Sequence, residues 1–279
     1  MIRGIILGIR KHPLRILIYW FASFSIIWTL IEGITYFISI NHLKNGYSLS
    51  LIIVGGLIYA LLANRYLDEI NIPIRYTNSE IKIQFGDIFE ADGVRVIAVN
   101  EFFDSELGIP VSEKSLHGMF ISKCFGGHGD TFDKIISEEL KEIHSHYVED
   151  RKHGKKYKYP IGASVEVVAD GKRYLCFALS RTDIHTSKAY ADVSILWEAL
   201  NGLWEKARVI LGGDCLVMPL VGTGLSGIGL PPRDLLMLLI LSIITESKKK
   251  IIGNCIKIIL HNDNYDKIDL REIKEYWSA

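Results

Sequence analysis

The sequence has no surplus of either charge: 32 Lys and Arg stand against 32 Asp and Glu over 279 residues. That balance excludes a general polyanion binder, and nucleic acid with it, because neutralising a phosphate backbone takes a large basic excess. Cysteine is sparse and scattered. Cys124, Cys176, Cys215 and Cys255 form no C-x-x-C pair and have no histidine nearby at ligand spacing, so no metal site is predicted. The four read as core thiols of a reducing compartment. Internal repeats and low-complexity tracts are missing too. A charged fraction of 23% with 10% aromatics excludes a disordered chain. Apolar residues are what the chain has in plenty. They make up 49% of it, and the mean hydropathy of +0.21 is high for a soluble domain of this size.

The surplus is concentrated near the N-terminus. Residues 16–31 (ILIYWFASFSIIWTLI) carry no charge; after Glu32 the apolar run resumes to residue 40, and residues 45–64 are again uncharged. About 20 helical residues cross a hydrocarbon core of ~30 Å. The reading is therefore a two-helix transmembrane hairpin over 1–68, with spans at about 15–40 and 46–65. The first run is too long for a signal peptide, and no small-residue cleavage site follows it. Arg3, Arg10, Lys11 and Arg15 precede the first span and Arg65 follows the second, whereas the loop between them has only Lys44. By the positive-inside rule the N-terminus and residues 69–279 face the cytoplasm. Residues 1–70 hold six basic and three acidic side chains, leaving 26 against 29 in the remainder. Glu32 is either a carboxylate at membrane depth, which is expensive unless paired or hydrated, or an interfacial residue. Gly55 and Gly56, with Ala60, provide a surface for close helix contact. Two helices cannot enclose a pore, so any channel would be a homo-oligomer.

In the second part, 71–77 and 80–86 alternate and read as a hairpin turning at Asn78-Ser79. Residues 94–100 read as a strand buried on both faces. Loop-rich sequence over 101–129 leads to a helix over 130–148, capped by Asp130 or Thr131. The basic stretch 149–160 is a solvated connector or a ligand-binding lid. Strands at 163–169 and 172–179 meet at Asp170-Gly171, a strong hairpin dipeptide. A helix over 189–208, a strand over 215–221, a glycine loop over 222–229, an apolar helix over 231–247, a strand over 256–260 and a helix over 268–277 complete the chain. Hairpins mixed with strand–helix units predict a mixed sheet covered by helices.

Two features carry chemistry. Gly222, Thr223, Gly224, Leu225, Ser226 and Gly227 satisfy G-x-G-x-x-G between a strand and a helix, a loop that lets backbone N–H groups approach a diphosphate. A Rossmann site is disfavoured. Only one core strand follows the loop, and the acidic residue some twenty positions on, Glu246, falls late in a helix. The second feature is Gly86-Asp87-Ile88 after one strand and Val99-Asn100 at the end of the next. Asp87 is placed to accept from an exocyclic amine, and Asn100 to hold ribose hydroxyls or phosphate; taken singly each reads as a loop cap, and only together with the late glycine loop is the pattern more specific. No catalytic set appears: Ser226 is outside G-x-S-x-G, and Asp183 with His185 has no nucleophile beside it. Arg181 pairs with a phosphate or with a surface carboxylate.

In this order, GDI, then an apolar strand ending in VN, then PLVGTGLSGIG before an apolar helix, residues 70–279 resemble macro domains, ADP-ribose-binding α/β/α modules. Two transmembrane helices ahead of such a domain resemble the membrane-macro effector of Thoeris-type anti-phage systems. The resemblance implies a three-layer α/β/α domain with a mixed sheet over 69–279. It implies a ligand derived from ADP-ribose, a histidine conjugate among the candidates, made by a partner TIR-domain enzyme. It further implies assembly in the bacterial inner membrane and damage to it, with no cofactor. It assigns adenine to Asp87 and the backbone of Ile88, and the diphosphate and distal ribose to Gly222–Gly227, with Asn100 and its neighbour Glu101 at the ligand. Hydrolytic macro domains carry a second Asn three residues after the first; here that position is Phe103. The glycine-rich stretch that follows it is replaced by ELGIPVSEKSLHGMF. Binding without turnover is therefore expected, with a membrane-tethered ADP-ribosyl hydrolase as the alternative and a dinucleotide oxidoreductase as a more distant one. His117, in the replaced segment, lines the distal end of the ligand or is an exposed loop histidine.

Overall fold

A computed structural model of the chain describes residues 1–38, 46–224 and 227–278. The chain divides into two compact units: Met1–Asp68 with Asp269–Glu272, and Glu69–Ile268 with Ile273–Ala279.

Among the described residues, the first unit holds three helices, α1 (Ile2–Lys11), α2 (Pro13–Phe37) and α3 (Gly46–Ala63). Pro13 opens α2, where its missing N–H loses nothing. At ~1.5 Å per residue, the 25 residues of α2 and the 18 of α3 are long and apolar enough to cross a membrane. The helices start and stop within a few residues of the predicted spans, whose connection at 39–45 lies outside the described residues. They pack directly. The Trp20 indole donates to the Ile53 carbonyl at 3.1 Å, and a Cβ on Gly56 would approach Ser23 Oγ to 2.9 Å. Gly56 thus serves the close contact; Gly55 faces open space. Glu32 does not end the helix, which runs on through it to Phe37 with the Glu32 side chain exposed. Of the basic residues before the first span, Arg3, Arg10 and Lys11 are more than a flank, because the structure winds them into α1, while Arg15 falls in the first turn of α2. His12, Asp269 and Glu272 bring ligand-type atoms within 4.8 Å of one another. Arg271 and Arg15 pair with those carboxylates at 3.0 and 3.4 Å, so the group is an ion-pair cluster.

In the second unit, among the described residues, eight strands form one sheet: β1 (Glu69–Pro73), β2 (Glu80–Phe85), β3 (Val94–Asn100), β6 (Ser164–Ala169), β7 (Lys172–Thr182), β8 (Ala189–Tyr190), β9 (Leu216–Pro219) and β10 (Cys255–Leu260). Their order is β1-β2-β10-β9-β3-β7-β6, with β8 on β7. The inner strands β2, β10, β9, β3 and β7 are parallel, and β1, β6 and β8 are antiparallel additions. The β1–β2 turn spans 74–79, wider than Asn78-Ser79, because Pro73 pairs with Glu80. β3 is buried on both faces, as its unbroken apolar sequence requires. Helices α4 (Leu116–Phe125) and α5 (Asp130–Glu139) cover one face, where Phe120 and Phe132 pack with Ile97, Val99 and Cys176. α6 (Val193–Ile210) and α7 (Pro232–Lys249) pack with each other in the other helical layer; Trp204 donates to Ser242 across them at 2.9 Å. α8 (Leu270–Ser278) ends the chain. This is the predicted α/β architecture.

Several local expectations change. The stretch 101–129 contains α4, capped by Ser115, whose hydroxyl accepts the Gly118 N–H at 2.9 Å. The 130–148 helix stops at Glu139, and its N-cap is Gly129, with no side-chain cap. The chain then forms a short ribbon, β4 (His146–Tyr147) with β5 (Tyr157–Lys158). Cys215 and Cys255 are not free thiols; they form a disulfide. Parallel pairing of β9 with β10 sets their Cα atoms 4.7 Å apart at the N-terminal ends of the two strands, a proximity that 40 residues of intervening sequence conceal. Cys124 and Cys176 are free.

Candidate functional site

A cavity of about 930 Å³ opens at the C-terminal ends of the parallel strands. That is where open α/β sheets bind ligands, because successive strand ends and their loops splay apart there. Asp87 follows β2, Asn100 ends β3, Gly222 follows β9 and His261 follows β10, so one sheet edge gathers all four.

Asp87, Ile88, Asn100, His117, Gly222, Thr223 and Gly224 line this cavity. The Asp87 carboxylate accepts the Phe89 N–H at 2.9 Å and stands 3.6 Å from Lys123 Nζ, with its side chain 45% exposed. Ile88 is buried beside it, and its carbonyl accepts from Arg95 at 3.2 Å. Gly222 adopts φ +86°, a conformation open to glycine, and a Cβ there would collide with Ile228. The Thr223 hydroxyl caps the Leu220 carbonyl at 2.9 Å, and Gly224 faces open space. Leu225 and Ser226 lie outside the described residues. Gly227 donates its N–H to the Gly224 carbonyl at 3.1 Å and is not part of the lining.

The Asn100 end is tightly organised. Its side-chain oxygen accepts the N–H groups of Phe102 and Asp104, each at 3.2 Å, and its amide donates to Asp104 Oδ2 at 2.7 Å. Asp104 is fully buried and receives Arg151 Nη1 at 2.9 Å, Arg151 Nη2 at 2.5 Å and the Lys155 N–H at 2.8 Å. The Arg151 guanidinium also stacks 3.7 Å over the Phe102 ring. Lys155 reaches the Phe103 carbonyl at 2.6 Å and Asp133 at 2.5 Å. The stretch 149–160 is therefore neither a solvated connector nor a free lid, because two of its basic side chains are stitched under the β3 end. Glu101 belongs to the same scaffold and does not line the cavity: it accepts the Thr182 N–H at 3.0 Å and pairs with Lys158 at 3.2 Å. Phe103 is fully buried against Tyr159 and the α4–α5 core.

His117 is not an exposed loop residue. It sits in the first turn of α4 and is 7% exposed. Burial pushes its imidazole down to about 4; the Asp104 charge opposes that shift and Lys155 adds to it. The ring is therefore neutral at physiological pH, and among the described residues its buried Nε2 has no hydrogen-bond partner.

Sequence reasoning misses the loop Gly108–Ser112, the Thr186–Ala189 connection into β8, and His261, Asn262 and Asn264 after β10, all in the lining. Their common signal is position after a strand that turns out to be parallel, which needs the strand order. Asp183 turns inward on its own loop, accepting from His185 and Thr186.

A search of curated protein sequences returned no match. Solved structures do match. The Oceanobacillus iheyensis macrodomain with MES bound superposes at TM-score 0.51 and 14% identity, covering 75% of this chain and 97% of that one. The same macrodomain with ADP gives TM-score 0.50 at 14% identity over 75% and 97%. A point mutant of it gives 0.50 at 14% over 76% and 99%. These likenesses show the fold. A family profile described as Thoeris protein ThsA, Macro domain, matches residues 81–261, from the first inner strand to just past the last. With the cavity at that domain's strand ends and two apolar helices ahead of it, the chain belongs to the Thoeris ThsA macro-domain family.

Proposed function

We propose that the protein is a membrane-anchored effector of bacterial anti-phage defence. Its macro domain binds an ADP-ribose-derived signal made by a TIR-domain enzyme, a histidine conjugate of ADP-ribose among the candidates. Occupancy drives homo-oligomerisation through the hairpin and disrupts the inner membrane. The observation that carries the reading is the cavity at the parallel strand ends, which gathers an open carboxylate, a glycine loop and a neutral imidazole. Its volume suits a dinucleotide-sized ligand. Binding without turnover is favoured because the residue three positions after Asn100 is Phe103, packed in the core. The ligand must favour the assembled state over the resting one, or occupancy shifts nothing.

The charge flanks support a cytoplasmic N-terminus and macro domain. The Cys215–Cys255 bridge argues the other way, since cytosolic thiols are kept reduced. Neither cysteine lines the cavity, so the ligand reading holds for both redox states.

The test is calorimetry on the full chain in detergent with ADP-ribose, its histidine conjugate and NAD, with particle mass followed in parallel. Asp87→Ala is expected to weaken ADP-ribose binding by about 1.5–3 kcal/mol, the worth of a hydrogen bond to a charged group. Absence of binding to all three ligands removes the reading; binding at constant mass removes the assembly step.

A further inference from the structure

We propose that α1 is an interfacial helix that lies in the surface of an anionic bilayer leaflet, with Ile2, Ile6 and Ile9 in the acyl boundary and its basic residues at the lipid phosphates. The inference rests on the membrane reading of α2 and α3 and adds a second, distinct mode of lipid contact.

The helix has three faces. Gly4 and Gly8 form the packed one: the Gly4 carbonyl accepts the Tyr66 N–H at 3.0 Å, and Asn64 Nδ2 donates to the Gly8 carbonyl at 2.8 Å and to that of His12 at 3.3 Å. A Cβ at position 8 would collide with the Asn64 backbone, so these glycines let α1 lie flat on the chain leaving α3. Ile2, Ile6 and Ile9, spaced i, i+4 and i+7, form the second face and are 71%, 61% and 44% exposed. At 3.6 residues per turn that stripe points away from the glycines. Arg3 and Arg10, seven residues apart, lie beside the stripe; Lys11, turned toward the glycine side, ends the helix, where its charge suits the helix dipole. No acidic residue occurs in α1. An apolar stripe flanked by cations suits a lipid surface rather than a protein groove.

Position supplies the second argument. One residue, His12, separates α1 from α2, and α1 is bonded to the residues directly after α3. It therefore sits at the open end of the hairpin, where both apolar helices meet polar sequence. A membrane spanned by α2 and α3 has its headgroup layer at that level, and the exposed isoleucines have an occupant there.

The experiment uses the full chain carrying Cys124→Ser, reconstituted into phosphatidylcholine vesicles with or without phosphatidylglycerol. Nitroxide labels are placed at Ile6→Cys, at Ile26→Cys in α2, and at Tyr76→Cys in the exposed β1–β2 turn, and collision with oxygen is compared with collision with a water-soluble nickel chelate. The Ile6 label is expected to be several-fold less accessible to nickel than the Tyr76 label, and shallower than the Ile26 label. Arg10→Gln with Lys11→Gln, or omission of phosphatidylglycerol, should move it toward water. A water-like Ile6 label beside a lipid-like Ile26 label overturns the proposal and leaves the hairpin intact. A water-like Ile26 label overturns the hairpin reading and the proposal with it. An Ile6 depth indifferent to lipid charge and to both substitutions overturns the anionic-lipid assignment.

Discussion

At the Asp87 end of the cavity a carboxylate stands 45% exposed, with one backbone donor at 2.9 Å and a lysine 3.6 Å away. At the Asn100 end the nearest carboxylate, Asp104, has no exposure and takes four hydrogen bonds from three residues. Both carboxylates follow the end of a parallel strand within a few residues, yet one is available to a ligand and the other is spent on the fold. The difference is the partner supplied. Asp104 is met by a guanidinium delivered from residue 151, whose two donors match a carboxylate. Asp87 is met by an exposed surface ammonium. The first arrangement makes a rigid platform under Asn100, and the second leaves an acceptor for an incoming donor.

Breaking the platform has the largest expected effect. Arg151→Met leaves the Asp104 charge buried without its main partner, and such a loss destabilises by about 3–5 kcal/mol. A drop of that size in the unfolding free energy of the second unit is expected from its denaturant midpoint and m-value. Adding Asp104→Leu should recover at least half of it, because the stranded charge is then gone. A single-variant loss below ~1 kcal/mol would erase the contrast between the two ends.

Acid provides a smaller perturbation at the same end. His117 titrates at about 4 in the folded protein against 6.5 ordinarily, because burial opposes its charge. Below 6.5 the unfolded chain takes up a proton that the folded chain refuses. Stability from this group is therefore complete above pH 6.5 and falls by about 1.4 kcal/mol per pH unit down to pH 4, a total of roughly 3 kcal/mol. His117→Leu is expected to flatten that part of the stability profile while leaving the carboxylate contribution at lower pH. An unchanged slope in the variant would show the imidazole free to ionise.

Much of this contrast is readable in the sequence, and the unread part has a physical cause. Asp87 and Gly222 are legible because short motifs after apolar strands encode a local backbone path. The helix pair is legible because the uncharged cores of α2 and α3 are long and apolar. The fate of Asn100 is not: its amide is committed to Asp104, and Asp104 to an arginine 47 positions later. Nothing in the basic run 149–160 marks Arg151, rather than Lys152 or Lys156, as the residue that goes under the sheet edge. Cys215 and Cys255 read as thiols for a related reason, since their proximity exists only through the β9–β10 pairing. Helix α1 is hidden because its glycines and arginines weaken an apolar run; only the packing of Gly4 and Gly8 against Tyr66 and Asn64 shows that they sort onto separate faces.

The smallest expected effect sharpens the comparison at the Asp87 end. Lys123 is 53% exposed and its partner 45%; a pair in that setting contributes roughly 0–1 kcal/mol and is screened by salt. Lys123→Met should therefore change the unfolding free energy by less than ~0.5 kcal/mol, and its thioether can pack on the Phe89 ring in place of the ammonium, whose Nζ lies 4.4 Å from the ring centroid. Asp87 stays oriented, because the Phe89 N–H rather than the lysine holds its Oδ1. ADP-ribose affinity measured at low salt should fall only a few-fold, and the gap to the parent protein should narrow as salt is raised. A loss that persists undiminished at high salt would mean that Lys123 is desolvated against the ligand's phosphates, and that this end closes on its ligand as firmly as the Asp104 platform is closed without one.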